Sequence, residues 1–367
     1  MSRHSKLRNA LAVGLLTASS CDGGPTSLNS REVVWRFPLS SLFFGDPSFD
    51  DRRIFLVDRD RLIAIDRITG EEAWDFQSPN GPIGTEGIPV SNGKVFLYTD
   101  QFVYAFATES GEQLWRSQLD RFWSGAFLGG AVTAGDQLVY AVAHGGAVYA
   151  LDGSTGRVVW YTEISPQPTK GIESSGLFCI GSNAQDEEIP AGALTCLSLD
   201  SGAIVWRKNI QVACTGGGVP GRPIVSGGSI IVGDQCGQLL AFDLMTGAKI
   251  WEKKYDTAFD ADLVVNNGVG YACLRTSSCI AFSLDTGEIL WQSPILASVL
   301  EAPTVEFGIV WVTDLSGSLF VLDASGGGQV VRLDPPDDGA TFFSRPIVDR
   351  ETVYTGGGSF FYALARP

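Results

Sequence analysis

Cysteine is the residue type best placed to do chemistry in this chain, which has seven cysteines among 367 residues. Cys21 lies near the amino terminus, and the other six fall between positions 179 and 279. An even number of clustered cysteines is typical of local disulfides and fits metal or redox chemistry less well. Buried free thiols are the alternative. The expected pairs are Cys273 with Cys279, Cys214 with Cys236 and, by elimination, Cys179 with Cys196.

Residues for acid–base or metal chemistry are scarce. The chain has two histidines, so a histidine metal site or a Ser/His/Asp triad would depend on His144 in a predicted turn. Acidic segments at 46–51 and 260–262 fall near predicted inner strands and could line a channel. Calcium there stays open, although the sequence has no calcium-loop pattern. We therefore predict no catalytic residue, no cofactor, no cofactor-binding residue and no metal ligand.

The amino terminus has the composition of an export signal. A basic start precedes an apolar stretch, 11–16, that is too short to span a bilayer. Small residues at 17–20 precede Cys21 in a pattern that resembles the lipobox of bacterial lipoproteins, with Ala18 where leucine is usual. This resemblance implies that Cys21 is lipidated, and a plain secretory signal with a free Cys21 is the alternative. We predict a lipoprotein-type signal peptide over 1–20 and a flexible tether over 21–31.

Composition indicates a folded, acidic domain over 32–367. The chain has 44% hydrophobic residues, 44 glycines and 17 prolines, as expected for a large core and many turns. Its formal net charge is −15. Nucleic acid is therefore excluded as a partner, since binding phosphates needs a basic face.

A repeated phrase determines the fold. The pattern Ala-x-Asp-x-x-Thr-Gly-x-x-x-Trp occurs at 64–74, 150–160 and 241–251, and weaker copies bring the repeat to eight positions about 40–46 residues apart. One unit, 221–254, predicts four short strands. The small alanine leaves room for a tryptophan that docks between adjacent blades. The sequence thus predicts an all-β, eight-bladed propeller of four-stranded antiparallel blades. The docking positions are Trp35, Trp74, Trp115, Trp160, Trp206, Trp251, Trp291 and, weakly, Val331.

The two ends of the chain are predicted to complete one blade together. Residues 32–39 read as an outermost strand without its blade, and 352–354 and 360–365 read as inner strands without an outermost one. Pairing the amino-terminal strand with the carboxy-terminal blade would close the ring and remove open sheet edges.

One blade departs from the pattern. Between Gly181 and Leu194 an apolar second strand is expected, but the sequence has acidic residues there. The blade is either distorted or carries a protruding acidic loop. That loop is either solvated or a partner contact, with Asp186, Glu187 and Glu188 as its candidate residues.

The iterated phrase resembles the tryptophan-docking repeat of the pyrroloquinoline-quinone-like family of eight-bladed propellers. That family includes quinone-dependent dehydrogenases and also non-enzymatic lipoproteins of the BamB type, which belong to the outer-membrane β-barrel assembly machine. The enzymes are longer and carry a disulfide between adjacent cysteines and a calcium ion, whereas this chain has no adjacent cysteine pair. The chain is therefore more similar to the BamB type.

This resemblance implies a non-enzymatic, lipid-anchored scaffold of the bacterial cell envelope that faces the periplasm. Loops on a propeller face would bind a membrane protein, a β-barrel assembly subunit in the BamB case, with the chain a monomer within that complex. Asp22 leaves the choice between outer and inner membrane open. The alternatives are a propeller that binds another envelope protein, glycan or peptide, and a compact quinone-dependent dehydrogenase.

Overall fold

Eight small sheets arranged in a ring make up the protein in this computed structural model, and each contains a four-stranded antiparallel blade. The eight-bladed propeller that the repeats predict is therefore confirmed. The structure describes residues 26–27, 33–40, 45–84, 87–99, 101–120, 131–143, 145–164, 167–183, 192–210, 217–299, 301–336 and 341–367.

The strands alternate with turns throughout, and these described residues form no helix that could span a membrane. The first half of the chain contains β1 (Thr26–Ser27), β2 (Val33–Pro38), β3 (Ser48–Phe49), β4 (Arg53–Asp58), β5 (Arg61–Asp66), β6 (Glu72–Gln77), β7 (Val90–Ser91), β8 (Lys94–Tyr98), β9 (Phe102–Ala107), β10 (Gln113–Gln118), β11 (Ala131–Ala134), β12 (Leu138–Val142), β13 (Ala147–Asp152), β14 (Val158–Glu163), β15 (Pro168–Ser174), β16 (Leu177–Ser182), β17 (Gly192–Ser198) and β18 (Ile204–Ile210). The second half contains β19 (Ile224–Ser226), β20 (Ser229–Gly233), β21 (Gln238–Asp243), β22 (Lys249–Lys254), β23 (Val264–Asn266), β24 (Val269–Leu274), β25 (Ser278–Ser283), β26 (Ile289–Pro294), β27 (Thr304–Glu306), β28 (Ile309–Thr313), β29 (Leu319–Asp323), β30 (Gln329–Asp334), β31 (Ile347–Val348), β32 (Thr352–Gly357) and β33 (Phe360–Ala365).

Blades one to seven each use four consecutive strands, beginning with β3–β6 and ending with β27–β30. The core lies between adjacent blades as well as within them. One buried cluster, for example, joins Phe55 and Leu62 of blade one to Leu97 and Phe106 of blade two. Each blade therefore depends on its neighbours for the burial of its apolar faces.

The repeated phrase forms the hairpin between the third and outermost strands. In blade five, Asp243 Oδ1 accepts hydrogen bonds from the Thr246 hydroxyl at 2.7 Å and from the Thr246 N–H at 2.8 Å. These bonds hold the pKa of Asp243 below its ordinary value. Gly247 follows with a φ of 66°. Only glycine adopts this conformation without strain, which explains the invariant order of the phrase.

The alanine of the phrase faces its own tryptophan across the hairpin. Ala241 pairs with Trp251, and Ala64 pairs with Trp74, each just before a shift in strand register. A larger side chain at the alanine position would compete with the indole for the same space, as the sequence predicts.

The eighth blade is built from both ends of the chain. Its order is β2-β33-β32-β31, and β2 pairs antiparallel with β33 so that Trp35 lies opposite Ala363. This confirms the predicted closure of the ring. Within the segment expected to be a tether, β1 adds a fifth, parallel strand to β30, with Thr26 opposite Leu333.

Blade four contains all four strands, so the distortion considered for it is wrong. Its second strand is β16, which is fully buried and pairs with β17 over six residue pairs. The acidic stretch follows β16 and falls in the connection to β17 instead of replacing a strand. Asp186, Glu187 and Glu188 themselves lie outside the described residues.

Candidate binding surfaces and the central channel

Tryptophans on the outermost strands hold neighbouring blades together by one repeated contact. Each indole Nε1–H donates to a backbone carbonyl in the hairpin of the next blade, as Trp206 does to Leu244 at 2.9 Å. Seven such bonds occur in the described part of the chain. The other six run from Trp35 to Arg67, Trp74 to Thr108, Trp115 to Gly153, Trp160 to Leu199, Trp251 to Leu284 and Trp291 to Ala324.

The glycine of each hairpin also makes room for the docked indole. A Cβ added at Gly247 would lie 2.7 Å from Trp206 Cδ2, which is far inside van der Waals contact. The same relation holds for Gly70, Gly111, Gly156, Gly202, Gly287 and Gly327, each beneath the tryptophan of the preceding blade. Glycine is therefore required twice, for its backbone conformation and for its missing side chain.

The topology explains why the eighth docking position is a valine. Val331 lies on β30, the outermost strand of blade seven, opposite Val321. The next blade has no hairpin between its third strand, β33, and its outermost strand, β2, because these two strands are far apart in the sequence. A tryptophan at 331 would have no carbonyl and no glycine to dock on.

Disulfides join strands within blades. Cys179 bonds to Cys196 across β16 and β17, and Cys273 bonds to Cys279 across β24 and β25. Cys236 is also disulfide-bonded. Its expected partner, Cys214, lies outside the described residues, as do Cys21 and His144.

A cavity of about 360 Å³ occupies the central channel. Its lining comes from residues at the first strands of seven of the eight blades, which only the hub of the ring can bring together. Charged side chains immediately precede four of these strands, Glu306 ends another, and apolar side chains lie on them. The charged lining residues are Asp46, Arg222, Asp262, Glu306 and Arg345.

Lys170 of blade four crosses the channel to two other blades. Its ammonium lies 3.2 Å from Asp46 Oδ2 in blade one and 3.6 Å from Asp262 Oδ2 in blade six. The side chains of this network are 12–17% exposed, so water screens the attraction only partly. The lysine thus joins non-adjacent blades through the hub.

The hub perturbs two carboxyl groups in opposite directions. Burial, then the negative charge of Asp46, raises the pKa of Glu301 to about 8. Burial also opposes ionisation of Asp262, but Lys170, Arg222 and Arg345 together hold its pKa below its ordinary value. At neutral pH, Glu301 is therefore mostly protonated while Asp262 is charged.

The expectation that 46–51 and 260–262 line the channel holds for Asp46 and Asp262. Among the described residues, no three histidine, cysteine or acidic side chains converge in a way that could hold a metal ion. The Lys170 ammonium lies between the carboxylates of Asp46 and Asp262. This arrangement gives no support to calcium at the hub.

The sequence analysis missed the basic half of this hub. Lys170, Arg222 and Arg345 occupy the same place in their blades as Asp46. Each lies two residues before the residue of the first strand that is in register, across the second strand, with the position of the repeat alanine. The signal that could have revealed the two arginines is a charged residue directly before proline, as in Asp46-Pro47, Arg222-Pro223 and Arg345-Pro346, whereas Lys170 precedes a glycine and lacks this signal.

Comparison with known proteins identifies a family. The family model described as outer membrane protein assembly factor BamB matches residues 15–85, 59–184 and 190–359. A relative of that description from Yersinia pestis is 29% identical over 342 residues, covering 88% of this chain and 80% of its own.

Solved structures share the fold at low sequence identity. BamB from Moraxella catarrhalis superposes with a TM-score of 0.72 at 17% identity, covering 90% of this chain and 99% of its own. A europium-containing methanol dehydrogenase superposes with a TM-score of 0.71 at 13% identity, covering 89% of this chain and 85% of its own. Since both kinds of protein have this fold, the fold alone does not distinguish a scaffold from an enzyme.

Proposed function

The chain belongs to the outer membrane protein assembly factor BamB family, and from this premise we propose that it is a non-enzymatic scaffold that binds a partner in membrane-protein assembly. The observation that carries the proposal is the family match, which runs through nearly the whole propeller.

The partner in this proposal is a β-barrel assembly subunit, bound through one face of the ring. We call the face that carries the second-to-third strand turns and the blade-to-blade connections the connector face. Leu315, for example, lies in such a turn, is 49% exposed, and bonds through its N–H to Ser298 in a connection. The acidic stretch between β16 and β17 belongs to a turn of this class, which supports the connector face as the docking side.

A pair of crosslinking variants in one blade tests the docking side. Leu315 lies on the connector face of blade seven, and Phe307, which is 48% exposed, lies on the opposite face of the same blade. A photoreactive phenylalanine analogue at 315 should crosslink a β-barrel assembly protein in intact envelopes, and the same analogue at 307 should not. Crosslinking from position 307 alone would show that the opposite face is the docking side. If neither variant crosslinks an assembly protein, the scaffold proposal is contradicted.

We further propose that lipidation of Cys21 anchors the scaffold to the membrane with the propeller in the periplasm. Cys21→Ser removes the thiol that would carry the lipid, so the protein should move to the soluble periplasmic fraction. Intact mass of the membrane-extracted protein should show the acyl chains. Membrane retention of Cys21→Ser after a high-salt wash would contradict the anchor.

A quinone-dependent dehydrogenase is the enzymatic alternative, and no residue of the hub favours it. Addition of pyrroloquinoline quinone with calcium should leave the purified protein without a bound-cofactor absorption band and without alcohol-dependent dye reduction. A stoichiometric absorption band of the bound cofactor together with dye reduction would show that the protein is an enzyme and would contradict the scaffold proposal.

A further inference from the structure

Two arginines in the channel have donors that no described residue uses. Arg222 Nε is buried without a hydrogen-bond partner in the described part of the chain. Arg345 Nε donates to Thr304 Oγ1 at 3.3 Å, and this is a long bond to a neutral acceptor. Both side chains line the 360 Å³ cavity. A guanidinium offers five donors in a fixed fork, so each of these arginines can offer N–H donors to a ligand in this space.

The two acids nearest these arginines, Asp46 and Asp262, each direct one carboxylate oxygen at Lys170. Asp262 Oδ1 accepts the backbone N–H of Arg222 at 2.8 Å, and its other oxygen faces Lys170. Asp46 shares the same lysine. Because Glu301 holds a proton at neutral pH, it adds no full charge. Glu306 is exposed and follows on the strand of blade seven, beyond the position of the arginines.

Three cationic side chains, Lys170, Arg222 and Arg345, thus meet at the hub beside the carboxyl groups of Asp46 and Asp262, while Glu306 lies at its exposed edge, within a chain of net charge −15. Next to the charged residues, the wall of the cavity is apolar. Val132, Ile347 and Val348 supply that wall, and each is at most 8% exposed. Cavities of this size and mixed lining are typical of small-molecule sites.

We propose that the central channel binds a small organic carboxylate, whose anionic group pairs with the guanidinium groups of Arg222 and Arg345 while its apolar part contacts the channel wall. Guanidinium and carboxylate groups match in geometry and form two parallel charge-assisted hydrogen bonds. The ligand is held by charge and shape, and no bond in it is made or broken. The site is independent of the docking face proposed above.

Calorimetric titration of the full-length protein with benzoate tests this site. Benzamide is the matched probe, since it has the same ring and size but no charge. We expect benzoate to bind with one site per chain and at least about tenfold more tightly than benzamide. Equal affinity for the two probes, or no benzoate binding at millimolar concentration, would overturn the proposal.

Variants assign the binding to the arginines. Arg222→Met and Arg345→Met should each weaken benzoate binding by about tenfold or more, because methionine keeps length but removes the fork. Arg52→Met is the control, since Arg52 is 70% exposed and pairs with Glu109 away from the hub. Benzoate binding that survives both hub substitutions would place the ligand elsewhere. If a variant melts early, Arg345→Lys, which keeps the charge, gives the second measurement.

Discussion

At the scale of single residues, the docked tryptophans combine two kinds of stabilisation. Each indole removes a large apolar surface from water, and its N–H makes a directed bond to a backbone carbonyl in the hairpin of the next blade. The hydrogen bond fixes the distance between blades, while the ring fills the wedge between them. The hydrogen bond and the ring packing both depend on the hairpin of the next blade, so each tryptophan contributes to stability only when the next blade is in place.

Trp251→Ala should lower the free energy of unfolding by about 3 kcal/mol, the lower end of the usual cost of removing a large core aromatic side chain, because Trp251 is partly buried. It also leaves Leu284 O without the indole donor. Ile250→Ala is the matched control on the same strand, because Ile250 is 52% exposed. Denaturant unfolding compares the two. Similar losses would show that the indole position does not hold the blades together.

The hub carboxyl Glu301 makes stability depend on pH. Its pKa is raised from 4.5 to about 8, so the folded protein keeps a proton that the unfolded chain releases within that range. The contribution of this group to stability is complete below about pH 4.5 and is lost progressively up to pH 8. The groups that face it are Asp46, Lys170 and Asp262.

Glu301→Gln should therefore gain stability relative to the natural protein as pH rises from 5 to 8. Glutamine stays neutral, and each unit of raised pKa corresponds to about 1.4 kcal/mol. Thermal melting at a series of pH values measures the difference. Glu71→Gln, at an exposed hairpin, controls for loss of a carboxyl group. A difference that is the same at every pH would contradict a protonated Glu301.

At the scale of elements, the third-to-outermost hairpin is the unit that the sequence encodes most completely. Asp243 and Thr246 fix the turn, Gly247 supplies the positive φ, and Ala241 leaves space for the indole. All four act within a dozen residues, so their types and spacing can be interpreted without knowing the rest of the chain.

Gly247→Ala should destabilise the protein more than Gly228→Ala. Both glycines have positive φ, 66° and 82°, so both substitutions strain the backbone by about 1–2 kcal/mol. Only at Gly247 would the new Cβ also meet an indole, whereas nothing lies within 4 Å at Gly228. Chemical denaturation of the two variants isolates the docking contribution as their difference. Equal losses would mean that backbone strain alone selects glycine here.

The hub could not be predicted in the same way. Lys170 meets Asp46 and Asp262 only because three blades, far apart in the sequence, point at one axis. Nothing local in the sequence states that these side chains converge. The acids were recognised because they form runs, whereas Lys170, Arg222 and Arg345 are single charges whose meaning comes from the closed ring. The repeats therefore predict the propeller fold. The charged hub cannot be predicted from them, because its side chains meet only when the ring is closed.

At the scale of the whole molecule, the ring is closed by the pairing of β2 with β33. Without β2, the backbone N–H and C=O groups of β33 would form an open edge able to pair with other chains. Trp35 would also no longer cover Gly70 or bond to Arg67 in blade one. The amino-terminal strand thus completes blade eight and docks it to blade one.

A chain that begins at residue 39 should consequently melt on the order of 10 °C lower, since it loses the docked Trp35 together with β2 and the two-residue β1. It should also scatter light increasingly with protein concentration, because the exposed β33 edge promotes association. A chain that begins at residue 28 is the control, since it loses only the two-residue β1 and keeps a four-stranded blade seven. If both truncations melt and scatter alike, ring closure does not depend on β2, and the blade that joins the two ends contributes little to the stability of the propeller.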